Sequence, residues 1–356
     1  MMHSAPEDEI EKFVWKLLFK AVNNGLDTVD LAIAMLDKDD EAAGEAIRSK
    51  YGLPTKEIVK EAEKVAEEIR RRGTIAEEFE GKSYEFEDPE DERLLVEFML
   101  NAEEIKYFFE WAMNRYDDRL AWPVIIEENC SAIDVRDKSS YGHPVIAIPA
   151  SREVNGFKLA ELIGHEIECH WRNSVNAELI GALKLDDELA YEGLAKVKDN
   201  LFDKYYLKKD ATPTPYYIIA ESLALDYKSF AETSERIFHL LPRKEPNLVT
   251  KAWNNTYRAY RGISNTLNLD GYAFTKDRAY FEGYLYAKAL DRHGYFEYLS
   301  FGLDRLTIKD LIEMTSPYDL EQSAILMDKH IQHQAIGKIL KYIKNSQDDD
   351  LPVPTA

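Results

Sequence analysis

Apolar side chains recur at three- and four-residue intervals along most of the chain, the spacing that places them on one face of an α-helix. The pattern predicts helices throughout residues 8–72, with interruptions at Asn23-Asn24-Gly25 and at residues 37–40 and a new start at Pro54-Thr55. A further helix is predicted to begin with Thr275 as its N-cap. Other predicted helices cover residues 92–115, 159–173, 189–195, 216–241 and 247–261, and sequence beyond residue 300. The chain is therefore predicted to be mainly α-helical.

Residues 121–149 contain the sequence that is typical of β-strands. Residues 123–127 and 131–135 are predicted to pair, and residues 144–149 form a third, β-branched segment bounded by prolines. Because proline cannot donate a backbone hydrogen bond, we expect the third segment to be an edge strand, which can pair with an extended peptide substrate. His143 beside it is interpreted as a solvent-facing or hydrogen-bonding residue, with a transition-state donor as the alternative. The predicted fold class is mainly α with a small antiparallel or mixed β-sheet.

The net charge limits the classes of molecule that the chain is expected to bind. The 356 residues carry a formal net charge of −21, whereas nucleic acids and anionic membranes bind clustered cations, so neither is an expected partner. No apolar run approaches the roughly 20 residues of a membrane span, and the N-terminal sequence has no basic and apolar signal regions. Cys130 and Cys169 provide no disulfide framework, so a reducing cytoplasm is the simplest expected location.

A candidate metal site lies in the predicted helix of residues 159–173. His165, Glu166 and His170 form a His-Glu-x-x-x-His string, in which neutral imidazoles can bind a Lewis-acidic ion and the carboxylate can take a proton from an attacking water. Residues five apart are separated by about 140° on a regular α-helix, so the two histidines do not aim at one point. Either a π-bulge absorbs the extra residue, or Cys169, four residues after His165, is the ligand instead. A simpler alternative is that the histidines cap a core face.

A third candidate ligand follows in the predicted helix of residues 189–195. Glu192 is flanked by small and apolar residues, and a buried carboxylate is costly unless it is paired or bound to a metal. Together with two histidines it would complete a site that leaves one position open for water.

Three motifs in this order resemble the QEGLA-motif metallopeptidase family, which contains the microtubule-associated tyrosine carboxypeptidases and their bacterial relatives. The motifs are His165-Glu166-Ile167 to His170, Glu192-Gly193-Leu194-Ala195, and Phe274-Thr275-Lys276-Asp277 with Tyr280 and Gly283. The resemblance covers roughly residues 95–300. It implies a zincin-like metallopeptidase core in which His165, His170 and Glu192 bind Zn²⁺ and Glu166 is the catalytic base.

The sequence departs from the family pattern at two places. Tyr191 stands where the motif has Gln, which leaves the ligand intact but can alter the groups around it. Glu168-Cys169 replace the smaller Gly-Thr inside the histidine string, which places a carboxylate and a thiol on the metal helix. These changes concern the substrate subsite and the metal preference, and they leave the implied ligand set unchanged.

A carboxypeptidase must also hold the terminal carboxylate of its substrate, which requires a lysine or arginine in the pocket. Lys276 is the first candidate, with an ion pair to Asp277 as its alternative role. Arg261 is the second, with a favourable interaction at the C-terminal end of its helix as the alternative. Tyr272 and Tyr280 are candidates to donate to the oxyanion or to line an aromatic subsite.

Composition divides the chain into three predicted regions. Residues 1–90 comprise an N-terminal helical accessory region, with partner docking as an alternative role, and an acidic connector. Residues 91–344 form the zinc metallopeptidase catalytic domain, and residues 345–356, with three aspartates and two prolines, form a disordered tail. His330 and His333 are expected to be surface residues, because no carboxylate base accompanies them.

We therefore predict a zinc metallopeptidase, specifically a carboxypeptidase that removes a C-terminal residue, such as tyrosine or another aromatic residue, from a peptide or protein. One alternative is a zinc endopeptidase or other amide hydrolase with the same centre. Another is a non-catalytic protein whose His165 and Cys169 bind metal or sense redox state. The tubulin tails associated with eukaryotic relatives are not carried over as substrate, because those tails are acidic and this chain is acidic too.

Overall fold

A computed structural model gives the fold. It describes residues 7–72, 77–78, 83–136, 142–179, 188–210, 214–262, 267, 271–301, 328 and 330–347. The α-helices are α1 (Glu7–Asp37), α2 (Asp40–Tyr51), α3 (Lys56–Arg72), α4 (Pro89–Glu97), α5 (Ala102–Asn114), α6 (Gly156–Leu162), α7 (Arg172–Leu179), α8 (Glu188–Tyr206), α9 (Tyr216–Leu225), α10 (Phe230–Leu240), α11 (Leu248–Ala259), α12 (Arg278–Arg292) and α13 (Ile331–Gln347). A π-helix, Ile163–Trp171, joins α6 to α7, and 3-10 helices cover Asp118–Leu120, Thr275–Asp277 and Phe296–Phe301. Among the described residues, no helix has both the length and the apolar character needed to cross a membrane.

The prediction of a mainly helical fold is confirmed, but several helix boundaries differ. α1 continues through Asn23-Asn24-Gly25, where an interruption was predicted. Its C-terminal half is anchored by Leu31 and Ala34, which are buried against α2, and such packing can outweigh the roughly 1 kcal/mol cost of one helical glycine. Residues 37–40 end α1 as predicted, and α3 begins directly after Pro54-Thr55.

Two predicted long helices are each divided. The segment 92–115 consists of α4 and α5, because Asn101 and Glu104 form a capping box that starts a new helix. The segment 216–241 consists of α9 and α10, and a second capping box, formed by Ser229 and Glu232, starts the latter. In both cases, the capping residues inside the amphipathic pattern could have indicated the break between two helices.

Three strands lie in the predicted region of residues 121–149, but their arrangement was predicted wrongly, and among the described residues four short strands lie outside that region. β3 (Val124–Glu127), β4 (Asp134–Arg136) and β5 (Val145–Pro149) form a sheet in the order β3-β5-β4, with β3 parallel and β4 antiparallel to β5. The third segment is therefore the central strand and not an edge. Pro144 and Pro149 lie at its two ends, so the missing donors leave the ladder between them intact. His143 is exposed, and its Nδ1 lies 3.2 Å from the carbonyl oxygen of Pro144.

Two further strand pairs are short. β1 (Glu77–Glu78) pairs with β7 (Lys209–Asp210), and β2 (Met99–Leu100) pairs with β6 (Val154–Asn155), both antiparallel. β2 fills the gap between α4 and α5, and β6 leads directly into α6. The second pair therefore fixes the start of the segment that contains the histidine string.

Besides the cluster that joins α1 and α2, two larger hydrophobic clusters organise the described helices. The first joins the three-stranded sheet, α5, α6, the π-helix and α13. The second joins α9, α10, α11 and α12, and it includes Ala62 and Ala66 of α3, so an N-terminal helix packs directly on the later part of the chain. The division of the chain at residue 90 stays a prediction. α13 continues to Gln347, and the rest of the predicted disordered tail lies outside the described residues.

Candidate active site

The π-helix is the structural basis of the site. The side chain of Asn155 caps α6 by accepting a hydrogen bond from the backbone N–H of Lys158, and the π-helix follows α6 without interruption. Its apolar residues Ile163, Ile167 and Trp171 are fully buried in the first cluster. Because a π-helix bonds residues five apart, it places such residues on the same side. The predicted distortion between the two histidines is thereby confirmed.

Cys169 has a different role from the one that the alternative prediction gave it. Its thiol donates to the carbonyl oxygen of Gly164 across 3.1 Å, inside the π-helix. The residue is fully buried, and burial raises the pKa of the thiol well above its usual value. A neutral thiol that donates to the backbone is a poor metal ligand, so the geometry favours His170 over Cys169.

His165, His170 and Glu192 converge on one point. One potential ligand atom from each lies within 4.8 Å of the other two. Nε2 of His165 is 3.8 Å from Oε2 of Glu192, and Nε2 of His170 is 4.0 Å from Oε1 of Glu192. Tetrahedral ligands at zinc-like bond lengths lie roughly 3.3 Å apart, so small side-chain rotations suffice to bring these three donors to a single ion. Two imidazoles and one carboxylate form a donor set that suits zinc.

Asp199 orients the first histidine. Its carboxylate oxygens accept from Nδ1 of His165 at 3.0 and 3.2 Å, which leaves Nε2 facing Glu192. Lys196 donates to the same carboxylate at 2.7 Å. Metal-binding histidines commonly donate their second ring nitrogen to a carboxylate, which fixes the tautomer and the ring orientation. Lys196 and Asp199 thus hold the ring of His165 through its Nδ1 atom.

Tyr191 supports the second histidine. Its ring stacks on that of His170, with centroids 4.3 Å apart and planes 14° from parallel. Its hydroxyl donates to the backbone carbonyl of His170 across 3.2 Å. The tyrosine that replaces the family-typical glutamine therefore holds a candidate ligand through both its ring and its hydroxyl.

Burial and neighbouring charges shift the pKa values of the site. Burial alone would lower the pKa of His165, but the Asp199 carboxylate outweighs it and raises that pKa to about 9. Burial raises the pKa of Glu166 to about 7; His165 opposes this shift and the carboxylate of Glu192 adds to it. Burial would also raise the pKa of Asp199, but His165 and Lys196 hold it well below its usual range. Glu166 is thus a buried carboxylate with a pKa near neutrality, as suits a general base.

Helices α8 and α12 pack closely beside this cluster. A side chain at Gly193 would collide with the backbone of Gly283, and one at Gly283 would collide with the carbonyl of Leu189. The two motif glycines therefore allow close approach of the helices, which brings Tyr280 next to Glu192. Burial raises the pKa of Tyr280 to about 12, and the Glu192 carboxylate contributes to the shift. Its hydroxyl thus remains a donor at neutral pH.

Tyr280 lies among two cations and a second aromatic ring. The ammonium of Lys196 and the guanidinium of Arg258 each lie 5.5 Å from its ring centroid, and the ring of Tyr217 lies 6.1 Å away. Arg258 also donates to the hydroxyl of Tyr217 across 2.9 Å. Of the four residues predicted to contact substrate, the structure thus places Tyr280 beside the candidate ligands.

The other three predicted substrate residues have different surroundings. Arg261 forms an ion pair with the buried Asp277, which also pairs with Arg258 at 2.8 Å. Tyr272 packs against Gly44 of α2, so its ring contacts an N-terminal helix. Lys276 is half-buried in the middle of a 3-10 turn. Asp277, which was the alternative partner predicted for Lys276, thus pairs with Arg258 and Arg261.

The predicted N-cap at residue 275 was wrong. The hydroxyl of Thr275 donates to the carbonyl oxygen of Gly52, between α2 and α3, and residues Thr275–Asp277 form a 3-10 turn before α12 begins. A long-range acceptor competes successfully for the hydroxyl that a local cap would have used. The motif thereby ties the turn of Thr275–Asp277 to the N-terminal helices.

The sequence interpretation missed Lys196, Asp199 and Tyr217. Lys196 and Asp199 lie four and seven residues after Glu192, so on a helix they share its face. The sequence spacing could therefore have identified Lys196 and Asp199. Tyr217 lies on α9, far away in sequence, and no local pattern connects it to the site.

Comparison with known proteins gives a family. A family model described as "Microtubule-associated tyrosine carboxypeptidase" matches residues 2–302, which include the N-terminal helices as well as all three motifs. No curated protein shows significant similarity to the chain.

Proposed function

The chain belongs to the microtubule-associated tyrosine carboxypeptidase family, and from this premise we propose that it is a zinc-dependent carboxypeptidase. The observation that supports the proposal best is the convergence of His165, His170 and Glu192 within 4.8 Å on a π-helix and the neighbouring α8. Two nitrogen donors and one oxygen donor fit Zn²⁺ and leave a coordination position for water or substrate. When bound, the ion supplies Lewis acidity that polarises the scissile carbonyl.

Glu166 is the proposed general base. Its carboxylate is near enough to His165 and Glu192 for their charges to shift its pKa. The residue is only 8% exposed, so bulk water does not solvate it freely. In the proposed reaction it takes a proton from the water that attacks the carbonyl carbon, and then delivers that proton to the leaving amine. A pKa near 7 suits both transfers.

Tyr280 is the proposed donor to the oxygen that becomes negative during the attack. Its neutral phenol lies beside Glu192, and the ring is held between Lys196 and Arg258. A donor that is already positioned costs little reorganisation when charge develops. With Tyr217 it also forms an aromatic wall, which favours an aromatic C-terminal residue such as tyrosine.

Lys276 is the proposed anchor for the terminal carboxylate of the substrate. It precedes Tyr280 by four residues in the turn that leads into α12. Arg261 is the weaker candidate, because its guanidinium already pairs with Asp277. Hydrogen bonds to charged groups contribute about 1.5–3 kcal/mol, so we expect Lys276→Ala to slow hydrolysis of free-acid peptides by about 10- to 100-fold.

The test uses peptides that end in tyrosine, once as the free acid and once as the C-terminal amide, with released tyrosine measured by mass spectrometry. Wild type is expected to cleave the free acid and to lose this activity when treated with a chelator. Lys276→Ala should keep its zinc, lose more activity than Arg261→Ala, and show no comparable loss on the amide. Equal cleavage of both peptides by wild type would exclude a carboxypeptidase and favour an endopeptidase with the same centre.

The physiological substrate is a separate matter. This chain carries a net charge of −21, so acidic protein tails would be repelled during encounter. We propose a peptide or protein C-terminus as substrate without specifying tubulin. A peptide library with varied C-terminal residues tests the aromatic preference directly.

A further inference from the structure

Beside the candidate active site, α8 borders a second cavity. The cavity has a volume of about 750 Å³, which is within the usual range for small-molecule sites. Its walls are largely aromatic and include Phe202, Tyr205, Tyr206 and Phe296. Among the described residues, its lining contains none of the three candidate zinc ligands. The cavity is therefore a separate space that the proposed peptidase reaction does not use.

Lys198 supplies a positive charge to this cavity. It lines the cavity, only 6% of the residue is exposed, and it makes no hydrogen bond or ion pair in the part of the chain that the structure describes. The nearby Cys169 is no counter-ion, because burial keeps its thiol neutral despite the charge of Lys198. Lysine is rarely buried to this extent without a partner. Its ammonium is not among the fully buried polar atoms of the described residues, so it keeps access to solvent and to a ligand. A ligand with a negative charge would supply the missing partner.

The surroundings limit the charge and shape of that ligand. One ammonium balances one negative charge, and the carboxylate of Asp291 on the lining would repel a polyanion. The lining also contains the exposed His330 and His333, and Nδ1 of His333 lies 2.8 Å from the hydroxyl of Tyr206. The rings of Phe202 and Tyr206 lie 4.8 Å apart and those of Tyr205 and Tyr206 lie 4.9 Å apart, so they form a continuous aromatic surface. Such a surface suits a flat apolar body.

We propose that this cavity binds a small aromatic monocarboxylate, whose carboxylate pairs with Lys198 and whose ring packs on the aromatic wall. The proposal is independent of zinc chemistry, because it depends on Lys198 and aromatic lining residues that are distinct from the candidate ligands His165, His170 and Glu192. It concerns binding and involves no covalent step.

The test is calorimetric titration of the full chain with 3-phenylpropionate and with the neutral 3-phenylpropionamide. All proteins are titrated without zinc and carry Lys276→Ala, so that neither the ion nor the proposed anchor of the active site binds the acid, and wild type here refers to position 198. Wild type should bind the acid at least about tenfold more tightly than the amide, the ratio expected from one charge-assisted contact. Lys198→Met should remove that preference, and Lys198→Arg should keep it. Lys341→Met, at an exposed position on α13, is the matched control and should behave like wild type. Zinc content is measured for each variant.

A second variant keeps the test decisive if Lys198→Met does not fold. Tyr205 is 44% exposed, so we expect its truncation to cost less stability than that of a buried residue. Tyr205→Ala should weaken binding of the acid and the amide alike by removing part of the wall. Equal affinity of wild type for both probes, or no saturable binding, overturns the proposal. So does a preference for the acid that survives Lys198→Met, or an affinity that Tyr205→Ala leaves unchanged, because the probe then binds elsewhere.

Discussion

Lys196 and Lys198 stand two residues apart on the same helix, but their surroundings differ. On the metal-facing side of α8, formed by Glu192, Lys196 and Asp199, the ammonium of Lys196 pairs with Asp199 and lies over the ring of Tyr280. On the cavity side, formed by Lys198, Phe202 and Tyr205, the ammonium of Lys198 lacks any such partner within the described residues. Lys198 is the more buried of the two, so its lack of a counter-charge among the described residues is not explained by greater exposure to solvent.

This difference separates two uses of a buried charge. Paired charges fix geometry: the chain from Lys196 through Asp199 to His165 holds one imidazole in a single orientation. An unpaired charge fixes no internal geometry, but it remains available to a ligand. We therefore expect substitutions on the metal-facing side to damage function and those on the cavity side to be tolerated.

On the metal-facing side, Glu192→Gln is expected to have the largest effect. An amide has no negative charge to offer a cation, so zinc content is expected to fall sharply from about one ion per chain, and hydrolysis should fall with it. Metal analysis of the purified variant measures the loss. Glu161→Gln is the control, because Glu161 pairs with Lys158 on α6 outside the ligand cluster. Full zinc occupancy in Glu192→Gln would remove that residue from the ligand set.

Glu166→Gln should affect the rate and leave the metal in place. Loss of a general base typically costs about 10²–10⁴-fold in rate, while coordination by His165, His170 and Glu192 does not depend on this carboxylate. Peptide hydrolysis and zinc content measured on one preparation separate the two effects. Near-normal activity would mean that the base lies elsewhere.

Lys196→Met and Lys198→Met compare the two sides directly. Lys196→Met leaves the buried Asp199 with one partner fewer, so we expect a destabilisation of about 1–3 kcal/mol and a lower Tm. Lys198→Met removes a buried charge that has no partner in the described part of the chain, so its Tm should equal or exceed that of wild type. Thermal denaturation of both variants is the measurement. Equal destabilisation would contradict the view that Lys196 is paired with a counter-charge and that Lys198 is not.

The smallest expected effect concerns pH. The pKa of Glu166 is raised from 4.5 to about 7 by burial, so the folded chain favours the protonated form. That contribution to stability is fully present below pH 4.5 and is lost as the pH rises through 7. In metal-free protein, Glu166→Gln should therefore gain Tm relative to wild type between pH 5 and pH 8. A Tm difference that is constant over this range would contradict the shift.

Much of the helical fold could be predicted because its signals are local. Amphipathic spacing located most helices, and the five-residue interval between His165 and His170 was enough to predict a helix distortion. The divided helices were missed because periodicity continues across a capping box, as at Asn101 and Glu104. Strand order was missed because β-branched segments indicate strands but do not name their partners.

The sequence by itself determined the helical character of the chain, the histidine string with its distortion, and Glu192 as a candidate third ligand, because these depend on residue type and on spacing within one helix. Only the tertiary structure decided which residues surround them. The approach of α8 to α12 at Gly193 and Gly283 brings Tyr280 to Glu192. Packing gives Lys196 a counter-ion, and among the described residues it gives Lys198 none. The physical reason is that a charge acquires its partner from whatever element folds against it, and residues distant in sequence supply that element.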